Sequence, residues 1–454
     1  MASMFEKAVS VYNAALLLEP KCSNTLQLRA VNLMILGRYD EAGKDYVEII
    51  KQESYPLEVY PGITKILVAK EDAIPNGWEL LRTALSDSIP STTEELRNLL
   101  LSPNAGEDQE VSSYRQSVLL NRLKQMYLAM FSYHDHKSKD AENAWESLTM
   151  AHKYKLAALP PYNHALEKHK VDTVQQIFQQ GFWPAGVGSR SKNPIFIVGF
   201  PRSGSTLLER ILDAHPAIIG TGEDSVFNGM LGEIRDGVVK ASMSGLPEQL
   251  KLIVQQFADK VDRVTKNKWS ERNEQEETEV AHPKRFVDKM LTNYVNIGFI
   301  HMLYPDALIL HISREPMDCL FSSHKHDFVS GHLQYTGDIS ALAQMYSQYR
   351  DLMNHWDKHL PGRVTHIRYE DIVHDMPGTA KAIIAATGLE WDDRILEFHK
   401  TKYVANTYST AQVKNPIYKD SLQSWRRYEK HLDPLKKMLG EKYTNHSTRT
   451  TLRR

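Results

Sequence analysis

The sequence predicts an α/β domain, a parallel sheet flanked by helices around a P-loop-like phosphate loop, preceded by an all-α helical-repeat domain. Three observations lead there. After Gly181, short apolar runs alternate with helical patterns, and each run passes into a polar segment and then a helix. Before Pro160, apolar residues recur at helical spacing and β-branched runs are scarce. Within that first part, a spacing of about 34 residues recurs, the length of one helical-hairpin repeat. The chain has 454 residues, 42% of them hydrophobic and 24% charged, so it can build a packed core, and its length suggests two or three domains.

The N-terminal third carries the repeat signal. Ala8, Tyr12, Ala15 and Pro20 are spaced like the second helix of a tetratricopeptide (TPR) repeat, and Ala42, Tyr46 and Ile49 restate the first three. The small residues allow close helix approach, and the tyrosines fill the groove between neighbours. Leu36 to Ala42 reads as the turn and second-helix start of such a unit. Pro56, Pro61, Pro75, Pro90 and Pro103 interrupt the pattern, and Asp140 to Ala151 resumes it, with Ala144, Leu148 and Ala151 in phase. The turn-rich stretch after Gly181 marks a boundary. The expected organisation is a TPR-like domain over 1–180, a linker over 181–193, the α/β domain over 194–444 and a frayed basic tail over 445–454. The clearest strands are Ile195 to Gly199, Leu308 to Ser313 and Val364 to Arg368.

Composition excludes several functions. Lys plus Arg is 55 and Asp plus Glu is 56, so there is no global field for nucleic acid. The two cysteines, Cys22 and Cys319, cannot form a disulfide framework or a cysteine-based zinc site, and they suit a reducing compartment. The N-terminus lacks the form of a signal peptide, and no apolar run reaches the ~18 residues of a transmembrane helix. A cytoplasmic protein is the expectation.

The most informative segment is Pro194 to Leu208. A buried strand leads into Gly199-Phe200-Pro201-Arg202-Ser203-Gly204-Ser205-Thr206 and then a helix. Gly199 and Gly204 stand where a P-loop has its glycines, so backbone N–H groups and a helix N-terminus aim at a phosphate. Ser203, Ser205 and Thr206 add hydroxyls. A nucleoside triphosphatase needs Lys before the final Ser or Thr. Here that position is Ser205, and Arg202 supplies the charge from within the loop. The strand Leu308 to Ser313 ends at Arg314, where a magnesium-binding strand would carry Asp. The loop therefore suits a phosphate better than a magnesium triphosphate.

This loop resembles the 5′-phosphosulfate loop of sulfotransferases that use 3′-phosphoadenosine-5′-phosphosulfate (PAPS). The best match is the group with N-terminal TPR repeats, related to the tyrosylprotein sulfotransferases. The resemblance spans roughly Pro194 to Tyr428, with gaps. It implies an α/β sulfotransferase domain, PAPS as donor, its desulfated product PAP, and no metal. Arg202, Ser203, Gly204, Ser205, Thr206 and Leu207 form the donor loop. A second motif, Leu310 to Ser322, ends a strand at Arg314 and starts a helix at Pro316. A guanidinium fork with a hydroxyl two turns on suits a terminal phosphate, and the family's 3′-phosphate motif has this Arg314 and Ser322 spacing.

Sulfuryl transfer, by analogy with phosphoryl transfer, needs a base at the acceptor and cations at the leaving phosphate. In the related enzymes the Glu of the Gly-Glu segment is the base, which is Glu223 here, between glycine-rich flanks and Asp224. Asp224 is the local rival, with helix N-capping as the ordinary alternative. Lys289 matches the family lysine that stabilises the transferred group, beside Asp288, and Arg202 shares that work. His215 and His311 are the weaker candidates for base. Tyr369 is placed near the adenine side, and Ser409 and Thr410 match hydroxyls lining the phosphosulfate site. The tyrosine-acting relatives carry Lys where this chain has Ser424, which leaves Arg426 or Arg427 as replacements. Asp236 to His282 matches nothing in the family and reads as helical and polar.

The function this implies is sulfuryl transfer from PAPS to a hydroxyl-bearing acceptor, a small metabolite or glycan in preference to peptide tyrosine. The rivals are a P-loop-type kinase and a catalytically inactive TPR scaffold. The TPR-like domain would serve a protein partner or self-association.

Overall fold

The computed structural model describes residues 2–52, 59–101, 109–179, 188–223, 225–244, 247–276, 284–328, 331–400 and 422–444. The chain divides into two compact units. The first takes the described residues of Met1–Tyr162, Asp327–Asp338 and Arg427–His431, and the second takes those of Asn163–His326, Ile339–Arg426 and Leu432–Arg454. The reading that gave 1–180 to one helical domain thus differs at Asn163 and at two later segments that group with the first unit.

The first unit is helical. It contains α1 (Ala2–Leu18), α2 (Ser23–Ile35), α3 (Tyr39–Ile50), α4 (Val59–Ala69), α5 (Gly77–Leu101), α6 (Gln109–Ser132) and α7 (Ala141–Ala157). Helices adjacent in sequence pack on one another: α1 on α2, α2 on α3, α3 on α4, α5 on α6 and α6 on α7. Ala30 and Ala42 are fully buried, which lets α2 and α3 approach closely. The Tyr46 ring lies against Gly62 of α4, where a Cβ would overlap it. The buried Asp45 carboxylate accepts from Arg29 Nε at 2.9 Å and Nη2 at 2.6 Å. Asp140 caps α7 by accepting from Asn143 N at 3.1 Å, and Ala144, Leu148 and Ala151 are buried on that helix. Pro90 does not interrupt the pattern as the sequence suggested: it lies inside α5, where the loss of one N–H is tolerated within a long packed helix.

The second unit opens with α8 (His164–Gln179) and centres on a parallel sheet. Its strands are β1 (Pro194–Gly199), β2 (Ile218–Gly220), β3 (Arg285–Asp288), β4 (Leu308–Ser313) and β5 (Val364–Arg368). Their order is β2-β3-β1-β4-β5. Ile195 pairs with Val287 on one side and Leu308 on the other, and Ile309 pairs with Val364. Central β1 is buried along its whole length, as a parallel strand covered on both faces must be.

The crossovers between strands are helical: α9 (Ser205–Asp213), the pair α10 (Ser225–Ser244) and α11 (Pro247–Glu276), α12 (Ile297–Leu303), and α13 (Pro316–His324) with α14 (Ile339–His359). After β5 come α15 (Tyr369–His374), α16 (Met376–Thr387) and α17 (Glu429–Thr444), whose first residues, to His431, group with the first unit. The α10–α11 hairpin occupies most of the segment that the sequence could not assign. Leu208, Ile211 and Leu212 of α9 pack with Ile197, Leu310 and Ile367 of the sheet and Ile383 and Ile384 of α16 in one core. No helix among the described residues is long and apolar enough to cross a membrane.

Candidate active site

In a parallel sheet of this kind, ligands bind beyond the carboxyl ends of the strands, beside the place where strand order reverses. The segments following β1, β2, β3, β4 and β5 hold the polar residues singled out above.

The loop after β1 is built for an anion. Arg202 has φ +67° and Gly204 has φ +101°, a sequence of conformations that turns backbone N–H groups toward a common point. A side chain at Gly204 would overlap the Tyr369 ring, so only glycine fits there. Ser205 and Thr206 are buried at the first turn of α9, whose N-terminal N–H groups favour negative charge. Leu207 sends its side chain into the core and has only its backbone N–H to offer a ligand. Below the loop, Phe200 packs edge-on against Tyr346, with ring centroids 5.2 Å apart. The Pro201 carbonyl accepts from Ser323 Oγ at 2.9 Å and Cys319 Sγ at 3.2 Å. Burial pushes the Cys319 thiol up to about 12, which removes it as a nucleophile.

Ser203 Oγ is buried and has no hydrogen-bond partner among the described residues. A buried hydroxyl is ordinarily satisfied. An anionic oxygen cradled by the loop would satisfy this one, so the residues present fit the 5′-phosphosulfate of the donor.

The segment after β4 meets the loop after β1. Arg202 Nε donates to Ser322 Oγ at 3.2 Å, and Arg314 Nη1 donates to the Arg202 carbonyl at 3.3 Å. The Arg314 guanidinium lies 4.7 Å from the centroid of the Tyr369 ring, within cation–π range. Tyr369 therefore sits between Gly204 and Arg314. Glu315 caps α13 by accepting from Asp318 N at 2.7 Å, and its own N–H donates to Glu370 Oε1 at 2.8 Å. Pro316 occupies the first turn of α13, as expected from its fixed φ.

The third group comes from the β2 and β3 ends. Lys289 Nζ lies 2.9 Å from Glu223 Oε1 and 3.6 Å from Glu209 Oε2. Lys289 and Glu209 are 0% exposed, whereas Glu223 is 49% exposed. Of the two carboxylates beside Lys289, Glu223 is open to solvent and Glu209 is not. Gly222 has φ +68°, and its carbonyl accepts from Lys289 N at 3.0 Å. Asp288 accepts from Asn293 Nδ2 at 3.3 Å.

Glu209 is the residue that sequence reasoning missed. It accepts from Gly222 N at 2.8 Å while facing Lys289. Burial raises its carboxyl above the usual carboxylate range, and Lys289 and the Gly222 N–H oppose that rise. In the sequence it stands beside Arg210 and reads as one of two adjacent solvated charges, so it gave no signal of its burial.

His215 and His311 are both engaged in hydrogen bonds away from Lys289 and Glu223. His215 Nδ1 accepts from Ala217 N at 3.0 Å, and its Nε2 lies 3.0 Å from the Glu390 carbonyl. His311 is buried in β4 against His366, Nδ1 to Nδ1 at 2.7 Å, with Tyr349 on its other nitrogen. Arg427 is bonded to Asp135 at 2.7 Å within the first unit, and Arg426 lies at the surface beside Gln423 at 3.1 Å. Ser409, Thr410 and Asp224 lie outside the described residues.

These features gather hydroxyls, two guanidinium groups and a carboxylate–lysine pair at the carboxyl ends of the strands. Residues 194–393 match the model of the sulfotransferase family, and a sulfotransferase family domain occupies that stretch. An uncharacterised protein of Aquifex aeolicus (strain VF5) is 30% identical over 258 residues, 56% of this chain and 33% of that protein. The chain thus spans about a third of that relative's length. A Caenorhabditis briggsae protein named "Putative protein-tyrosine sulfotransferase" is 24% identical over 241 residues, 51% of this chain and 80% of that one. Among solved structures, the sulfotransferase domain of the Synechococcus PCC 7002 olefin synthase aligns with 54% of this chain and 90% of its own, at 19% identity and a TM-score of 0.35.

Proposed function

We propose that the protein is an enzyme that transfers a sulfuryl group from PAPS to a hydroxyl of an acceptor. The observation that supports this most directly is the Arg202–Ser322 hydrogen bond, which joins the two segments that this reading assigns to the 5′- and 3′-phosphates. The family match over 194–393 supports the same reading.

The bound donor supplies an activated sulfuryl group and a leaving phosphate. In this reading the backbone of Ser203 to Leu207, with the hydroxyls of Ser203, Ser205 and Thr206, holds the 5′-phosphosulfate. Arg314 and Ser322 hold the 3′-phosphate. Tyr369 flanks the loop on the nucleoside side, and Ser409 and Thr410 are assigned by resemblance alone. Glu223 takes the acceptor hydroxyl proton on its carboxylate. Arg202 and Lys289 stabilise the charge that grows on the leaving oxygen. The scheme calls for no metal.

Small metabolites or glycans are the favoured acceptors. Peptide tyrosine is the second reading, and the name of the Caenorhabditis relative favours it. The helical first unit is proposed as TPR-like, supported by the buried Ala42 and Tyr46, and as a surface for a partner or a second copy. A reducing, cytoplasmic setting suits a chain with two thiols. A kinase is disfavoured by Ser205 in place of the P-loop lysine, and an inactive scaffold by the intact set of Arg202, Glu223, Lys289, Arg314 and Ser322.

The test is thermal stability with 3′,5′-ADP (PAP), ATP and GTP, each with and without magnesium. A ligand at ~100 times its dissociation constant adds ~2.7 kcal/mol. The expected result is a shift with 3′,5′-ADP that ignores magnesium and disappears in Arg314→Ala. A shift with ATP and magnesium alone, or none with any ligand, overturns the reading.

A further inference from the structure

Glu209 and Asp213 are one turn apart on α9, the helix whose N-terminus closes the phosphate loop. Both face the strand-end segment that leads to Glu223. Asp213 Oδ1 accepts from Gly220 N at 2.7 Å, and Glu209 Oε1 accepts from Gly222 N at 2.8 Å. On the other side, Thr221 donates to the Val287 carbonyl through its N–H at 2.9 Å and its hydroxyl at 2.8 Å. The segment Gly220-Thr221-Gly222 is therefore clamped between α9 and β3. A Cβ at Gly220 would come within 3.2 Å of both the Asp213 and the Glu209 carboxylate.

Two carboxylates share one ammonium in this cluster. Lys289 Nζ is hydrogen-bonded to Glu223 and lies 3.6 Å from Glu209 Oε2. Among the described residues, that second oxygen is buried without a hydrogen-bond partner. A base tied to a lysine cannot take a proton well, because the pairing stabilises its ionised form. An ammonium buried without a partner is costly. A second buried carboxylate within reach resolves both problems.

We infer that Glu209 is a positioning residue, the alternative partner that receives Lys289 when Glu223 takes the acceptor proton. This rests on the sulfotransfer reading above. As the acceptor O–H proton moves to Glu223 and the acceptor oxygen bonds to sulfur, the phosphate leaves with the S–O electron pair. Glu223 is then neutral and releases Lys289. The ammonium stays charged beside the Glu209 carboxylate, and it remains available to the leaving oxygen. Glu209 also keeps Glu223 in place through the Gly222 N–H. The charged or titratable groups acting on Glu209 are Lys289, Asp213 and Glu223.

Glu209→Gln and Glu209→Ala separate these roles, because glutamine keeps the acceptor for Gly222 N–H and removes the charge. Hydrogen exchange of the peptide spanning 218–223 reads the clamp. Release of 3′,5′-ADP from PAPS, with 4-nitrophenol, a tyrosine peptide and an N-acetylglucosamine oligosaccharide as acceptors, reads turnover across pH. The expected result is that Glu209→Ala loses protection at 218–223 and Glu209→Gln restores it. Glu209→Gln should still release 3′,5′-ADP at least tenfold more slowly, with a displaced pH profile and an unchanged affinity for 3′,5′-ADP. If glutamine restores both protection and rate, the charge has no role and the inference fails. Unchanged exchange in Glu209→Ala overturns the clamp whatever the activity. If the glutamine variant does not fold, Glu209→Asp, which withdraws the charge by one methylene, should slow release, and a wild-type rate there also overturns the inference. A wild-type chain that neither binds 3′,5′-ADP nor releases it defeats the sulfotransfer reading itself, and with it the proton-linked role of Glu209.

Discussion

Arg202 Nε donates to Ser322 Oγ at 3.2 Å, so a pair of side chains ties the loop after β1 to the helix after β4. The pair orients the guanidinium that lies within the loop. Ser322→Ala removes that restraint and one donor to the ligand, and should weaken 3′,5′-ADP binding by about tenfold, ~1.4 kcal/mol. Calorimetric titration checks it. An unchanged affinity would place the 3′-phosphate elsewhere.

Gly204→Ala should destabilise the fold by about 1–3 kcal/mol, from strain at its positive φ and overlap with the Tyr369 ring. Adding Tyr369→Leu relieves the overlap and leaves the strain, so the double variant should recover only part of the loss. Urea denaturation of the two variants separates the contributions.

Glu223→Gln should reduce turnover by at least ~100-fold, the usual contribution of a general base. Because the Glu223 carboxylate is 49% exposed, the same substitution should leave stability and 3′,5′-ADP binding near wild type. Loss of binding in a folded variant would make Glu223 a site-shaping residue.

Lys289→Met should be among the most destabilising substitutions in the second unit, since it leaves the fully buried Glu209 without its cation. Breaking a buried pair from one side costs about 3–5 kcal/mol. The cost depends on pH. The Glu209 carboxyl is already raised by burial, and loss of Lys289 raises it further. Its protonated form favours the folded state fully below the usual carboxylate range, and that contribution is lost as pH rises through the raised value. The stability gap to wild type should therefore widen from pH 5 to pH 8, as measured by thermal melts. A gap independent of pH would mean that Glu209 does not titrate in the variant.

Gly62→Ala should destabilise the first unit by about 1–3 kcal/mol, since its methyl would overlap the buried Tyr46 ring. Tyr46→Leu in the same background should recover much of the loss. Differential scanning calorimetry checks both. The stabilisation by 3′,5′-ADP should not change.

Much of this architecture is legible from local pattern. β1, β4 and β5 are short segments rich in Ile, Leu and Val that run into polar segments, and all three lie within a residue of where the sequence places them. β2 and β3 escape notice for a physical reason. Ile218–Gly220 is too short to show a period, and Arg285–Asp288 begins and ends with a charge. They become strands because their neighbours in the sheet satisfy their backbone groups. The two segments proposed to bind the donor phosphates are equally local, each a strand end joined to a helix start. Glu209 is not. An acidic residue in a short helix reads as a solvated position. Its burial depends on Lys289, which is distant in sequence and adjacent only after the sheet has formed. Segment 327–328 joins the first unit through a similar long-range bond, Lys124 Nζ to Asp327 Oδ2 at 2.9 Å, which no periodicity records.

Helix α9 has nine residues, about 13 Å of rise. Its first turn faces the phosphate loop, and the next turn holds the Gly222 N–H and faces Lys289. In the proposed mechanism, donor binding and the segment that carries Glu223 are therefore both tied to one short rigid rod. A substitution that tilts the rod by a few degrees moves both ends together, so affinity for the donor and the rate of the chemical step cannot be tuned independently through this helix. Variants selected for tighter donor binding by altering α9 should show compensating changes in the 220–223 segment, whereas changes in Arg314 or Ser322 should need none.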